Sequence, residues 1–387
     1  MPQPWPHTPA EFLARLIAFN TVSSRSNMAL IDWVAGYLRA QGIEPDIIPS
    51  DDGDKANLFA TIGPADKDGV ILSGHTDVVP VDGQAWTLDP FTLAESEGKL
   101  YGRGTSDMKG FIACVLAAVP KFQAAGLATP IHLAFSYDEE VGCTGVASMI
   151  GKLAKRVPRP RLCIVGEPTD MQLVTSHKGI RDFTTEVTGL EAHSSRTDKG
   201  VNAIQYAARM INFLENLGRE LAANAAHDHI CEPPYTTVSV GVIEGGTAVN
   251  IIPGHCRFQW DNRLLPGTEP DYVINRFNRF VEEEILPEMR AVFPKASVTT
   301  TKCADAPGLN PEEGSPAETL VLSLLGSNER YGVSYATEAG HFQGIGIPTV
   351  VCGPGSILQA HRPDEYVEIS QLAACEAFLD KLAQRLS

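Results

Sequence analysis

The sequence contains no run of about 18 uncharged apolar residues, so nothing in it has the length and hydropathy of a membrane-spanning helix. It has no C-x-x-C pair. Its eight cysteines stand apart at 114, 143, 163, 231, 256, 303, 352 and 375. Several lie in apolar runs such as FIACVLAAV and RLCIVG, which predicts buried free thiols rather than a disulfide framework. Positive charge is scarce: 31 Lys and Arg against 47 Asp and Glu give a net charge of -16. That balance excludes nucleic acid as a partner, because such binding rests on phosphate neutralisation. It is compatible with a small cationic substrate, although most of it serves solubility. The opening stretch, MPQPWPHTPAEFLARL, lacks the basic flank, apolar run and cleavage site of a secretory signal. Free thiols and no leader together predict a cytoplasmic protein. Repeats and low-complexity tracts are also missing.

What is present is a chain of 387 residues, 43% apolar and 20% charged, the balance of a folded globular protein. Its length predicts two domains. Near the start Thr8 reads as a helix cap, Pro9 as a first-turn residue and Glu11 as the partner completing a capping box.

Through the first half, short apolar runs alternate with helical patterns. GVILSGHTDVV (69–79), IHLAFSYDEEVG (131–142) and RLCIVGEPTD (161–170) each read as a buried strand running into a polar or acidic loop. LYGRGTSDMKGFIACVLAAV (100–119) reads as a strand end, a glycine-rich loop and a helix that Pro120 ends or kinks. This rhythm predicts an α/β domain with a mostly parallel sheet flanked by helices. In such sheets function lies beyond the carboxyl ends of the strands, which is where the ionisable residues of these segments fall. Near residue 181 the pattern becomes β-α-β-β-α-β over about 120 residues, that of a small α+β sandwich. After the linker ADAPGLNPEEGSP the earlier style resumes over 317–387. The expected organisation is a catalytic domain from 1–180 plus 306–387, interrupted by an inserted α+β domain at 181–305.

His75 and Asp77 follow the first of these strands, two positions apart, so their side chains return to one face and Asp77 can orient the His75 ring. Asp107 lies where a glycine-rich loop meets a helix start, a place where the helix dipole favours Asp in any protein. Asp138, Glu139 and Glu140 are three successive carboxylates at a strand end, an arrangement that a divalent cation makes favourable. One of an adjacent pair can bind metal while its neighbour acts as a general base. Glu167 in VGEPTD and His361 in GPGSILQAHRPDEY complete the set. Each residue alone has an ordinary reading as a surface or loop group. Together, two histidines and three carboxylates at strand ends suit a pair of Zn²⁺-like ions with one carboxylate bridging.

With those residues assembled, the chain resembles the M20 metallopeptidase family, and within it the acetylornithine deacetylase branch. The resemblance runs through SGHTDVVP, GRGTSDMKG, YDEEVGCTG, VGEPT, SHKG, EAHSS, GGTAVNIIP, DNRLLPG, TEAGHFQ and GPGSILQAHRPDEY, in that order and over nearly the whole chain. It implies that His75 and Glu167 bind one metal ion, His361 and Glu140 the other, and that Asp107 bridges them. The ions implied are Zn²⁺ or Co²⁺. Asp77 would orient His75, and Glu139 would be the general base that moves a proton from the bridging water to the leaving amine. The inserted domain would act as a lid and dimerisation domain, with His193 of EAHSS reaching the site of a second copy to stabilise the oxyanion. Asn250, Arg263 and Glu338 would contact a small N-acylated amino acid, Arg263 through its α-carboxylate. His177 and Lys178 would be hinge residues. The activity implied is hydrolysis of N²-acetyl-L-ornithine to ornithine and acetate, in arginine biosynthesis. A sibling desuccinylase, aminoacylase or dipeptidase is the alternative, and a non-catalytic binding protein on the same fold a second one.

Overall fold

In the computed structural model, residues 5–153, 157–225 and 230–387 are described. The chain divides into two compact units, residues 1–176 with 309–332 and 337–387, and residues 177–308 with 333–336. The boundaries expected at 181 and 305 fall within strands, Gly179–Thr188 and Ser297–Ala306, which belong whole to the second unit.

The first unit is built on an eight-stranded sheet. Its order is Asp46–Pro49, Ala56–Ile62, Ile131–Ser136, Val70–His75, Leu162–Val165, Thr349–Val351, Val174–His177 and Tyr331–Val333. The central four strands, Ile131–Ser136 through Thr349–Val351, are mutually parallel, and antiparallel pairs flank them. Every residue of those four is buried, which is why they read as unbroken apolar runs. The mixed sheet bears out the expected α/β class.

The helix Lys109–Ala124 packs on this sheet, against Pro9–Ile17 and Ile369–Leu386. Of the two outcomes expected at Pro120, an end or a kink, the helix does not end there but runs on to Ala124. Pro120 has no N–H for the Leu116 carbonyl one turn back. The Tyr37 hydroxyl donates to that carbonyl instead, at 3.0 Å, and so replaces the missing bond. The first helix starts as expected, with Thr8 and Glu11 forming a reciprocal capping box. A separate small sheet pairs Tyr366–Glu368 with Lys99–Tyr101 and then Ala94–Ser96, and was not foreseen.

The second unit is a four-stranded antiparallel sheet ordered Thr237–Gly245, His255–Leu264, Gly179–Thr188 and Ser297–Ala306. The helix Ala203–Asn224 and the helical run Tyr272–Val292 cover one face over a core that includes Phe183, Met210, Phe258, Trp260 and Phe277. A short ladder, Ala192–His193 on Ile251–Ile252, stands apart from that sheet. All eight cysteines are free; seven are buried and Cys303 is exposed.

Candidate metal centre

Parallel order and register put the four loops side by side. His75 ends its strand level with Ser136, and Val165 pairs with both Ser73 and Val351. The chain therefore leaves the sheet at one edge in the order Glu139–Glu140, His75–Asp77, Glu167, His361. Strand ends approach closely there: a Cβ on Gly353 would stand 2.0 Å from the Gly166 carbonyl oxygen, so only glycine fits. Asp107 arrives from the turn before the helix Lys109–Ala124, through a cis Asp107–Met108 peptide.

The five expected donors converge. His75 is fully buried, and its Nε2 lies 3.0 Å from Asp107 Oδ1 and 3.6 Å from Glu167 Oε1. His361 Nε2 lies 3.0 Å from Glu140 Oε2 and 3.3 Å from Asp107 Oδ2. Asp107 thus turns one oxygen to each imidazole, the posture of a bridging carboxylate. Two donors each about 2.1 Å from a tetrahedral ion are about 3.4 Å apart. The four observed separations, 3.0 to 3.6 Å, bracket that edge, so the residues fit divalent ions. Glu167 Oε1 adds a second sign, being buried with no hydrogen-bond partner. Carboxylate atoms of Glu139 and Glu167 also fall within 4.8 Å of a His75 nitrogen and of each other.

Charge tells the same story. Burial pushes the Glu139 carboxyl up to about 8, with the charges of Glu140 and Asp107 adding to it against the pull of His75. Burial and then Asp107 push Glu140 up to about 7, and the same two causes hold Glu167 well above the usual range. Burial also works against ionising Asp107, but hydrogen bonds from His361 and His75 outweigh it and hold that carboxyl far below the usual range. Hydrogen bonds to Asp107 and Glu140 push His361 up to about 10. Without a cation, then, protons are the only counter-charge these carboxylates can recruit.

The supporting shell differs from expectation in one respect. Nδ1 of His75 bonds the Asp77 backbone carbonyl at 3.0 Å, while the Asp77 carboxylate stands 3.6 Å away. That carboxylate instead accepts the backbone N–H groups of Glu139, at 3.1 Å, and Glu140, at 3.3 Å, and the Ser23 hydroxyl at 2.7 Å. Asp77 therefore ties the histidine loop to the glutamate loop. His361 itself is held at φ 62°, a left-handed conformation that costs a non-glycine residue about 1 kcal/mol or more. Gln84 secures it by donating to its carbonyl at 2.9 Å.

Sequence reasoning missed Glu365. The small sheet, by pairing Tyr366 with Tyr101, lays its carboxylate inside the Arg103–Asp107 loop. There it accepts the N–H groups of Gly104, Ser106 and Asp107 at 2.9 to 3.1 Å and forms a buried 2.7 Å ion pair with Arg103. Nothing in local spacing announces this role.

Glu338 requires a correction. Expected to contact substrate, it is fully buried and both its oxygens accept serine hydroxyls, Ser73 and Ser136, each at 2.6 Å. It stitches two central strands together beneath His75 and presents no free oxygen to a ligand.

In the second unit, His193 is exposed, its Nδ1 2.8 Å from the Ser195 hydroxyl, and the Asn250 carbonyl accepts the Ser194 N–H at 3.0 Å. These two share a loop pair beyond the Gly245–Cys256 end of the sheet. Arg263 lies at the other end, where it bonds Asp261 at 3.0 Å and lines a cavity of about 410 Å³. Seven steps along the strand take the chain from Cys256 to Arg263, about 24 Å. One small substrate cannot touch all three within this unit. Lys178, at the start of the unit, is buried and donates to the Tyr235 carbonyl at 2.8 Å.

The chain belongs to peptidase family M20/M25/M40, whose pattern it matches over residues 71–385. It is 35% identical to an acetylornithine deacetylase of Proteus mirabilis over 382 residues, 97% of this chain and 95% of that protein. It is 37% identical to an acetylornithine deacetylase of Myxococcus xanthus over 372 residues, 95% and 94% of the two chains. An M20 family metallo-carboxypeptidase of Sulfolobus solfataricus shares the fold, with a TM-score of 0.74, 19% identity, and 97% and 98% coverage. The protein is accordingly an amidohydrolase. No helix among the described residues is long and apolar enough to cross a membrane.

Proposed function

We propose that this protein hydrolyses N²-acetyl-L-ornithine to L-ornithine and acetate, a reaction that supplies arginine biosynthesis. The observation that carries the reading is Asp107 set between His75 and His361, with Glu140 and Glu167 outside, in a chain 35 to 37% identical to deacetylases of that substrate. Two divalent ions, Zn²⁺ or Co²⁺, held by these five residues would polarise the amide carbonyl and make water acidic enough to attack it at neutral pH. His75 and Glu167 would hold one and His361 and Glu140 the other, with Asp107 between.

Glu139 works as the general base. As a carboxylate beside the bound ions it takes the proton of the attacking water, and as a carboxyl it is acidic enough to pass that proton to the leaving amine. Asp77 keeps that base and the Glu140 ligand in step by holding both backbone N–H groups. The placement of His193 and Asn250 beyond one end of the sheet and Arg263 at the other favours a homodimer in which His193 and Asn250 serve a second copy's site and Arg263 binds the substrate carboxylate. The eight unpaired thiols suit the cytoplasm.

The test is a panel of N-acyl amino acids and dipeptides offered to protein of measured metal content. Acetate release from N-acetylornithine, lost on chelation, is the expected outcome. Preference for a succinylated substrate, another acyl amino acid or a dipeptide would transfer the assignment to a sibling deacylase; no hydrolysis by fully loaded protein would refute the enzyme reading altogether.

A further inference from the structure

The turn after the strand Ile131–Ser136 carries a thiol that the reaction above leaves unused. Cys143 is 3% exposed, and its Sγ donates to Oε1 of Glu139 across 3.2 Å. The turn is closed on itself. The Glu139 carbonyl accepts the N–H groups of Gly142 and Cys143 at 3.0 and 2.8 Å, and the Asp138 carbonyl accepts that of Thr144 at 3.1 Å. Cys143 sits at φ 56°, a left-handed conformation that side-chain-bearing residues adopt only when their surroundings impose it. Gly145 braces the turn from behind, where a Cβ would come within 1.9 Å of the Tyr137 carbonyl oxygen. Backbone geometry, rather than chance rotation, aims the thiol at the carboxylate. Burial and then the Glu139 charge push that thiol well up, so it keeps its proton and acts as a donor.

We propose that Cys143 is a positioning residue for Glu139, its S–H pinning Oε1 so that Oε2 faces the water and the leaving amine. This rests on Glu139 being the general base. The thiol's bond to Oε1 limits the rotation of the Glu139 carboxylate about its last bond. The choice of donor has a chemical logic. A charged partner would hold the carboxylate but lower its basicity. A thiol is a weak donor, which orients the base and leaves its proton affinity almost intact.

The experiment uses the full-length, metal-loaded protein as Cys143→Ala, Cys143→Ser, Glu139→Gln and the Cys143→Ala/Glu139→Gln double variant. Cys143→Ala should lose about tenfold in kcat, the worth of one hydrogen bond to a charged group, with KM and metal content unchanged. Cys143→Ser, whose hydroxyl still donates, should recover most of that loss. In the Glu139→Gln background Cys143→Ala should cost nothing further, whereas a purely structural role would cost the same in both backgrounds. An infrared readout needs no turnover: the S–H stretching band that vanishes in Cys143→Ser should move to higher frequency in Glu139→Gln, as the anionic acceptor is lost. An unchanged kcat in Cys143→Ala, a serine variant as impaired as alanine, additive losses, or a band indifferent to Glu139→Gln would each overturn the proposal. Full turnover by Glu139→Gln with Cys143 intact would instead sink the base assignment, so the two failures are told apart.

Discussion

Stripping the metal should make the stability of this protein fall as pH rises, and the size of the effect follows from the buried glutamates. Glu139 keeps its proton up to about 8 and Glu140 up to about 7 in the folded, metal-free chain, against an ordinary value of 4.5. Between about pH 5 and 7 the folded chain thus carries protons that the unfolded chain has lost. Stability contributed by such groups is complete below the unfolded value and disappears as pH climbs through the folded one. Each proton is worth about 1.4 kcal/mol per pH unit, so the one to two protons of Glu139 and Glu140 alone give about 1.4 to 2.8 kcal/mol per unit, a minimum to which the raised Glu167 and, at the upper end of the range, His361 and His75 add with the same sign. For a unit of this size that is roughly 3 to 6 °C in Tm per pH unit. Asp107 adds no slope here, because its lowered carboxyl is ionised in both states above pH 5. Bound metal displaces these protons, so the loaded protein escapes the loss. Thermal melts of chelated and Zn²⁺-loaded protein at several pH values from 5.5 to 7.5 should therefore show a gap in Tm that widens with pH. Taking the gap removes the general repulsion of a chain with net charge -16. Glu139→Gln, which deletes one titrating group, should reduce the widening. A gap that stays constant or narrows as pH rises would refute the account of buried, proton-compensated carboxylates.

Three further outcomes are expected. Glu139→Gln should retain both metal ions yet lose about 10² to 10⁴ in kcat, while Glu140→Gln should lower metal content, which elemental analysis beside initial rates distinguishes. Tyr37→Phe leaves the Leu116 carbonyl without a donor at Pro120 and should destabilise the protein by about 1 to 3 kcal/mol in denaturant titrations while sparing kcat. Glu365→Ala strands the buried Arg103 guanidinium and should cost about 3 to 5 kcal/mol; isothermal titration should also show weaker metal binding, because the Asp107 loop loses its anchor.

The central strands were readable from sequence because burial on both faces leaves a plain mark, an unbroken apolar run with its ionisable residues collected at the end. The same mark located His75, Glu140, Glu167 and His361. Pairing order left no such trace. Thr349–Val351 lies between Leu162–Val165 and Val174–His177, strands joined by a short loop far earlier in the chain, and no local pattern encodes that insertion. Groups whose role depends on distant pairing were misread or missed for this reason. Glu338 looked like a pocket residue until Ser73 and Ser136 were seen to occupy it, and Glu365 was invisible until Tyr366 paired with Tyr101. That the helix does not stop at Pro120 was not legible, because the hydroxyl that compensates it comes from Tyr37, on another helix.

That insertion also orders events during synthesis. A chain still leaving the ribosome at residue 300 has already exposed Leu162–Val165 and Val174–His177, but the strand that belongs between them has not been translated. The second unit, whose four strands are contiguous in the chain, can close in the meantime, while the first must wait with a slot open in its sheet. His361 emerges later still, so the five-residue centre can be completed only after that strand has been made.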